Sequence, residues 1–383
     1  MRTSSLPQLC LALSLTLGLA ACGGSAAGGS AAAPASSSVA ASAAVQGGPE
    51  WEKVVAAAKQ EGKVVLGVPP GPQYQPAISA AFEKAYPGIK VEITNIHAAD
   101  FTARIAKERA AGEYAWDVWV GGTDIDVYRL AHEGILDPIK PEVVLPEALE
   151  DRNWLGGFDA GFGDSAKKYA MNLAATNSDG AFVNRDLITE SALATFDDLW
   201  KPDWKGKFVW QDARQSGSGV NAAAVILKIY GEQKLRDLWT NQQVVVSTDE
   251  RQMAEWVVRG TKPIGLGLVR NRGLEILRQE GVGLNVKSVR YPITLNSPGA
   301  HALVAVNRPP HPNARKVMLN WLLGREAGTV LAQAAKLNSR RLDVPVTDPN
   351  TQVPQGVETV NTQGEDFAPL RLQANKIAAE VFK

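Results

Sequence analysis

Apolar and polar positions along this chain follow two periods that take turns. "WEKVVAAAKQEG" has helical spacing and stops at Gly62, and Lys63 to Val68 reads as a strand. "PAISAAFEKAYPG" predicts a helix from about Pro76 ended by Pro87-Gly88, with a strand from Ile89 to Thr94. Asp100 is placed to cap "FTARIAKERAAG", Gly112 to end it, and Asp117 to Val120 is the next strand. Thr123 is a candidate cap for the helix that ends at Gly134. After a looser stretch the pattern resumes. "AFVNRDLI" is a strand and turn, Lys207 to Gln211 a strand, and Ser218 to Tyr230 a helix. "VVVSTDERQMAEWVVRG" is strand, turn and helix, "KPIGLGLVRN" a strand, and "RGLEILRQEG" a helix. Two further helices, parted near Gly324, fill "HPNARKVMLNWLLGREAGTVLAQAAK". Strands alternating with helices across short joints predict right-handed βαβ units and mostly parallel sheets flanked by helices, an α/β fold.

The first residues do not fit this scheme. "MRTSSLPQLCLALSLTLGLAAC" has one basic residue, an apolar run too short to span a membrane comfortably, and small residues before Cys22, as a secretory signal requires. The ending Leu19-Ala20-Ala21-Cys22 resembles the lipobox of bacterial lipoproteins, which implies cleavage after residue 21 and a lipid on Cys22. Residues 23–48 carry no charge and no aromatic side chain and cannot build a core, so residues 22–49 are expected to be a lipidated cysteine and flexible tether. A coil of that length reaches roughly 30 Å. The two cysteines are Cys10 and Cys22, so a processed, lipidated chain has neither free thiol nor disulfide. That excludes thiol catalysis and cysteine-ligated zinc. The formal net charge of zero gives no footprint for nucleic acid.

Ligands of open α/β sheets bind beyond the carboxyl ends of the strands. The joints there are Pro69 to Gln75, Gly121 to Asp124, Asp212 to Gly219 and Val269 to Arg272. On two facing lobes they would line one cleft. Ser216-Gly217-Ser218-Gly219 opens an apolar helix. Backbone N–H groups at such a start, with the helix dipole, favour a carboxylate, phosphate or phosphonate. The plain alternative is a serine cap with glycines for close packing. No Gly-Lys-Ser/Thr follows, and Gly-x-Ser-x-Gly is absent, so neither a phosphate loop nor a nucleophile elbow is present.

The segments "FTARIAKERAAGEYAWDVWVGG", "AFVNRDLI", "FDDLWKPDWKGKFVWQDARQSGSG" and "HPNARKVMLNWLLGREAGTVLAQ" resemble, in order, the ferric-iron-type group of bacterial extracellular solute-binding proteins. These are the substrate-binding components of ABC importers. The resemblance covers roughly residues 50–340 and implies the two-lobed periplasmic-binding-protein type 2 fold, hinged on two crossing strands. Carried over, it places the first lobe at 50–172, the second at 173–286, a return segment at 287–345, and a tail at 346–383 packing on a lobe. The implied partners are a small solute, a membrane permease and the lipid anchor. The body is expected in the periplasm or at the cell surface, as a monomer without cofactor.

One departure matters. Iron-binding members have two adjacent tyrosines after the strand that here reads "PIGLGLV". This chain has Arg270-Asn271-Arg272, and none of its seven tyrosines adjoins another. Guanidinium groups repel Fe³⁺, so an anionic or zwitterionic solute is the better expectation. Arg270 and Arg251 offer planar forks for oxyanions. Tyr74, Gly122 and Thr123 would contribute from the first lobe, Ser216, Gly217, Ser218 and Asn271 from the second, and Ser297 from near the hinge. The competing readings are a receptor for ferric iron or a metal chelate, and a secreted hydrolase or transferase using the same cleft. The second lacks a motif, since the nearest Ser/His pair, Ser297 and His301, has none around it. Trp116, Trp119, Trp204, Trp210, Trp239, Trp256 and Trp321 sit at apolar positions and read as core, not sugar platforms. His97, His132, His301 and His311 have no metal-ligand spacing.

Overall fold

A computed structural model describes residues 36–69, 75–268 and 273–383. The signal segment and Cys22 lie outside these residues, as do Tyr74, Arg270 and Asn271. Among the described residues no helix is long and apolar enough to cross a membrane.

The elements run α1 (Ser36–Glu61), β1 (Lys63–Val68), α2 (Gln75–Ala85), β2 (Lys90–Asn95), α3 (Ala98–Ala110), β3 (Val118–Gly121), α4 (Ile125–His132), β4 (Leu136–Asp137) and β5 (Ala170–Asn172). The chain continues through β6 (Ala181–Asn184), β7 (Phe208–Gln211), α5 (Ser218–Asn241), β8 (Val245–Ser247), α6 (Glu250–Arg259), β9 (Ile264–Leu266), α7 (Leu274–Gln279) and β10 (Val286–Val289). It ends with β11 (Leu295–Asn296), β12 (Ala302–Val306), α8 (Pro312–Leu322), α9 (Arg325–Ala335), β13 (Val360–Asn361) and α10 (Ala368–Val381).

Two sheets divide these strands. The first has order β2-β1-β3-β12-β4, with β5 also on β12; the second has order β10-β6-β9-β7-β8. Each has a parallel centre, β2-β1-β3 in one and β9-β7-β8 in the other. Strands that carry the chain between lobes run antiparallel: β12 against β3 and β5, and β6 against β9 and β10. The fold is therefore α/β and two-lobed, with helices over both sheets. The second sheet extends to Val289 at β10.

The two crossing segments meet at one antiparallel bridge. Thr176 N donates to Ser297 O at 2.9 Å, and Ser297 N to Thr176 O at 2.8 Å. Ser297 is thus a hinge residue whose hydroxyl accepts from Gly299 N at 3.3 Å.

Several local expectations shift by a few residues. Helical backbone begins at Ser36, inside the stretch expected as tether, and breaks at Gly48 (φ 58°) beside Pro49. Alanine's high helix propensity favours this extension. His97, not Asp100, stands at the N-cap of α3, and Asp100 lies in the first turn where it complements the helix dipole. Asp124, not Thr123, caps α4, its Oδ1 accepting from Asp126 N and Val127 N at 3.1 Å each. Helix α5 continues past Tyr230 after a break at Gly231 (φ 82°).

The tryptophans pack as core. Trp116, Trp119, Trp204, Trp210, Trp239 and Trp321 are buried, and Trp256 is half-buried against the core under α6 and α7. Phe101 stacks on Trp119 with ring centroids 4.6 Å apart. A buried asparagine ties α8 to the first lobe. Asn320 Oδ1 accepts from Val144 N at 2.8 Å and Leu145 N at 3.0 Å, and its amide donates to the carbonyls of Glu142 and Lys316. Asn320→Ala strands two backbone donors, that of Leu145 buried and that of Val144 partly so. It is expected to lower unfolding free energy by about 2–4 kcal/mol in a denaturant titration.

Candidate functional site

Two joints at strand carboxyl ends carry most of the described candidates, one from each lobe. In the first lobe β3 is buried throughout and ends at Gly121, where a Cβ would lie 2.1 Å from the Trp119 ring. Gly122 and Thr123 follow. Thr123 is 1 % exposed, and its partners come from far along the chain. Its N–H donates to Gln363 Oε1 at 3.2 Å and its hydroxyl to Gln363 O at 2.8 Å. Its carbonyl accepts from Arg371 Nη2 at 2.7 Å. The Tyr128 phenol, from the next helix, also donates to Gln363 O. Burial pushes that phenol's pKa well above its ordinary value, so it stays a neutral donor. Burial likewise works against ionisation of Asp124 and against the charge of Arg371, while each ion's field favours the other.

The second lobe supplies the joint from β7 to α5. Asp212 turns the chain, accepting from Arg214 N at 3.0 Å and from its guanidinium at 2.7–3.2 Å. Those hydrogen bonds hold the Asp212 carboxyl below its ordinary pKa. Ser216 is exposed, and Gly217 (φ 153°, ψ −160°) has a backbone that only glycine adopts readily before α5 starts at Ser218. The start of α5 already has a partner, Gln211. Its Oε1 accepts from Gly219 N at 2.6 Å and lies 2.6 Å from Ser218 Oγ. Its Nε2 donates to Glu250 Oε1 at 3.0 Å. Gly219 presses on the strand, for a Cβ there would sit 2.0 Å from Gln211 O. Close packing and a helix mouth are therefore both built into Ser216 to Gly219.

The remaining described candidates lie on other elements. Arg251 is exposed on α6 and pairs with Glu255 at 3.1 Å. Ser297 is at the hinge. A groove of about 620 Å³ runs beside edge strand β10, lined by Arg278, Lys287, Arg290, Glu275, Leu284 and Asn350, and involves neither joint. No group of three His, Cys, Asp or Glu side chains gathers as a metal site among the described residues.

Three residues at these joints were not legible as site residues: Gln211, Gln363 and Arg371. Gln211 had a weak signal, a polar side chain ending an apolar strand before a glycine-opened helix. Gln363 and Arg371 had none, because nothing in a polar tail says which joint it will cover.

Residues 77–266 match the family model for bacterial extracellular solute-binding proteins. Over this stretch the chain is similar to bacterial extracellular solute-binding proteins, the non-enzymatic binding components of ABC importers. A search of curated proteins finds no match. Among solved structures, iron-bound HitA from Pseudomonas aeruginosa is 19 % identical, with a TM-score of 0.62 over 83 % of this chain and 99 % of that one. The ferric binding protein from Campylobacter jejuni is 17 % identical, with a TM-score of 0.64 over 83 % and 99 %. Trichodesmium IdiA (FutA) in complex with iron and citrate is 18 % identical, with a TM-score of 0.62 over 84 % and 99 %. At these identities the likeness concerns the fold of the solute-binding protein.

The Asp212–Arg214 pair gives a pH prediction. A carboxyl with a depressed folded-state pKa adds stability that is present above its unfolded value, about 4, and is lost as pH falls through the folded value. Asp212→Asn should therefore cost stability at neutral pH, and the gap from wild type should close as pH falls below about 4. Denaturant midpoints across pH 2–7 measure this; a gap that stays constant contradicts the pairing.

Proposed function

We propose that this solute-binding protein captures an anionic or zwitterionic small molecule between its lobes, tethered to the membrane by a lipid on Cys22. The observation that carries the reading is the β7-to-α5 joint. The exposed Ser216 and glycine-only Gly217 open a helix whose dipole favours an oxyanion. Gly122 and Thr123 stand at the matching strand end of the first lobe. Arg270 and Asn271, where iron-binding members have tyrosines, add a cation and a donor. Closure of the lobes on the solute shifts an open–closed equilibrium, and the closed form docks on the permease. The lipid places that encounter at the membrane face.

A second reading has a specific support: one protein of this fold is described with iron and citrate together. In this chain arginines would grip an anionic chelator and leave the metal to it.

Mass spectrometry of ligand released from the purified protein identifies the class directly. A thermal-shift panel of organic acids, phosphonates and metal chelates follows. A ligand at 100 times its Kd should stabilise the fold by about 2.7 kcal/mol. Arg270→Ala should abolish the shift given by an anion, and a surviving shift would place the site elsewhere. Ferric salt alone should give no tyrosinate-to-iron absorption band. A band would overturn the oxyanion reading.

A further inference from the structure

The last forty residues contact both lobes and reach both joints. From the hinge, β13 pairs with β11 in parallel, Leu295 with Val360 and Asn296 with Asn361. The next residues attach to the first lobe. Gln363 holds Thr123 and accepts from Tyr128. Glu365 N donates to Gly163 O at 2.9 Å, and its carboxylate accepts from Ser165 N at 2.7 Å and meets His132 Nε2 at 2.5 Å. Two residues later the attachment changes lobe. Phe367 is buried in the second-lobe core, and α10 lies along α5, burying Ala374, Ile377 and Ala378. Asn375 Nδ2 donates to Ala213 O at 3.1 Å and Arg214 O at 2.7 Å, in the turn leading to Ser216. One helical turn earlier, on the same face, Arg371 reaches back to Thr123 O.

This arrangement restricts separation of the lobes. A single residue, Asp366, lies between Glu365 on one lobe and Phe367 in the other, and extended chain spans at most about 3.6 Å per residue. Opening at this rim must break the Gln363 and Glu365 attachments or draw α10 off α5. In either case the bond from Arg371 to Thr123 must break or follow. The sequence offers Arg371 no carboxylate at i±3 or i±4, so its charge is not committed within its own helix.

We propose that the C-terminal segment is a strap between the lobes and that Arg371 is the positioning residue that pins it. It holds the β3–α4 joint in register with the β7–α5 joint and biases the solute-free protein towards closure. Solute then works on an equilibrium already tilted, which raises its apparent affinity. This goes beyond the solute assignment and does not require it.

The test needs no ligand. Amide hydrogen exchange and small-angle scattering are recorded on the full chain as wild type, Arg371→Ala, Arg371→Lys and Glu380→Ala. Glu380 bonds Arg236 within the second lobe alone and serves as control. Arg371→Ala should speed exchange over residues 121–128 and 361–367 by about tenfold, the loss expected for one charge-assisted hydrogen bond. The radius of gyration should rise, and exchange in 220–227 of α5 should stay unchanged. Arg371→Lys keeps the charge and one donor and should restore much of the protection. If Arg371→Ala does not fold, Gln363→Ala is expected to give the same selective rise. Unchanged exchange at 121–128, an equal rise throughout the chain, or the same effect from Glu380→Ala overturns the proposal. A failed anion panel leaves these results standing, so the two readings fail separately.

Discussion

Two crossing segments bridged at Thr176 and Ser297 hold the lobes at one hinge, and what happens at the cleft depends on that pairing. Backbone donors and acceptors satisfied there need no side chain, so the hinge tolerates rotation without burying unpaired polar groups. The crossing strands β12 and β6 each run antiparallel to a parallel core. Helix α10 reaches both joints, through Arg371 to Thr123 O and through Asn375 to Ala213 O and Arg214 O.

At each joint a glycine lets backbone approach backbone. Gly121 clears the Trp119 ring, and Gly219 rests on Gln211. The start of α5 does not wait bare for a solute, since the Gln211 carboxamide accepts from Gly219 N. A neutral acceptor there orders the helix start less strongly than an anion would. In the first lobe the equivalent function falls to Gln363, whose side chain and carbonyl cover Thr123.

The βαβ alternation, the two-lobe order and the tryptophan core were legible in the sequence because burial periodicity is local and each helix or strand writes its own. Helix starts were legible only to within a few residues. Asp100 and Thr123 both had the right chemistry for a cap, yet His97 and Asp124 took the positions, since the cap is set by where the preceding strand releases the chain. Arg251 looked like a cleft residue by its place after a strand. On α6 it pairs with Glu255 one turn away.

By itself, then, the sequence determined which joints carry small residues and polar donors, and where the arginine-asparagine-arginine run stands. It also determined, through two cysteines confined to the first 22 residues, that the folded body holds no disulfide. Only the tertiary structure decided which of those donors are already engaged. The partners of Thr123, Gln363 and Arg371, lie 240 and 248 residues further along the chain. A polar group's partner depends on which distant segment folding brings beside it, and no periodicity records that choice.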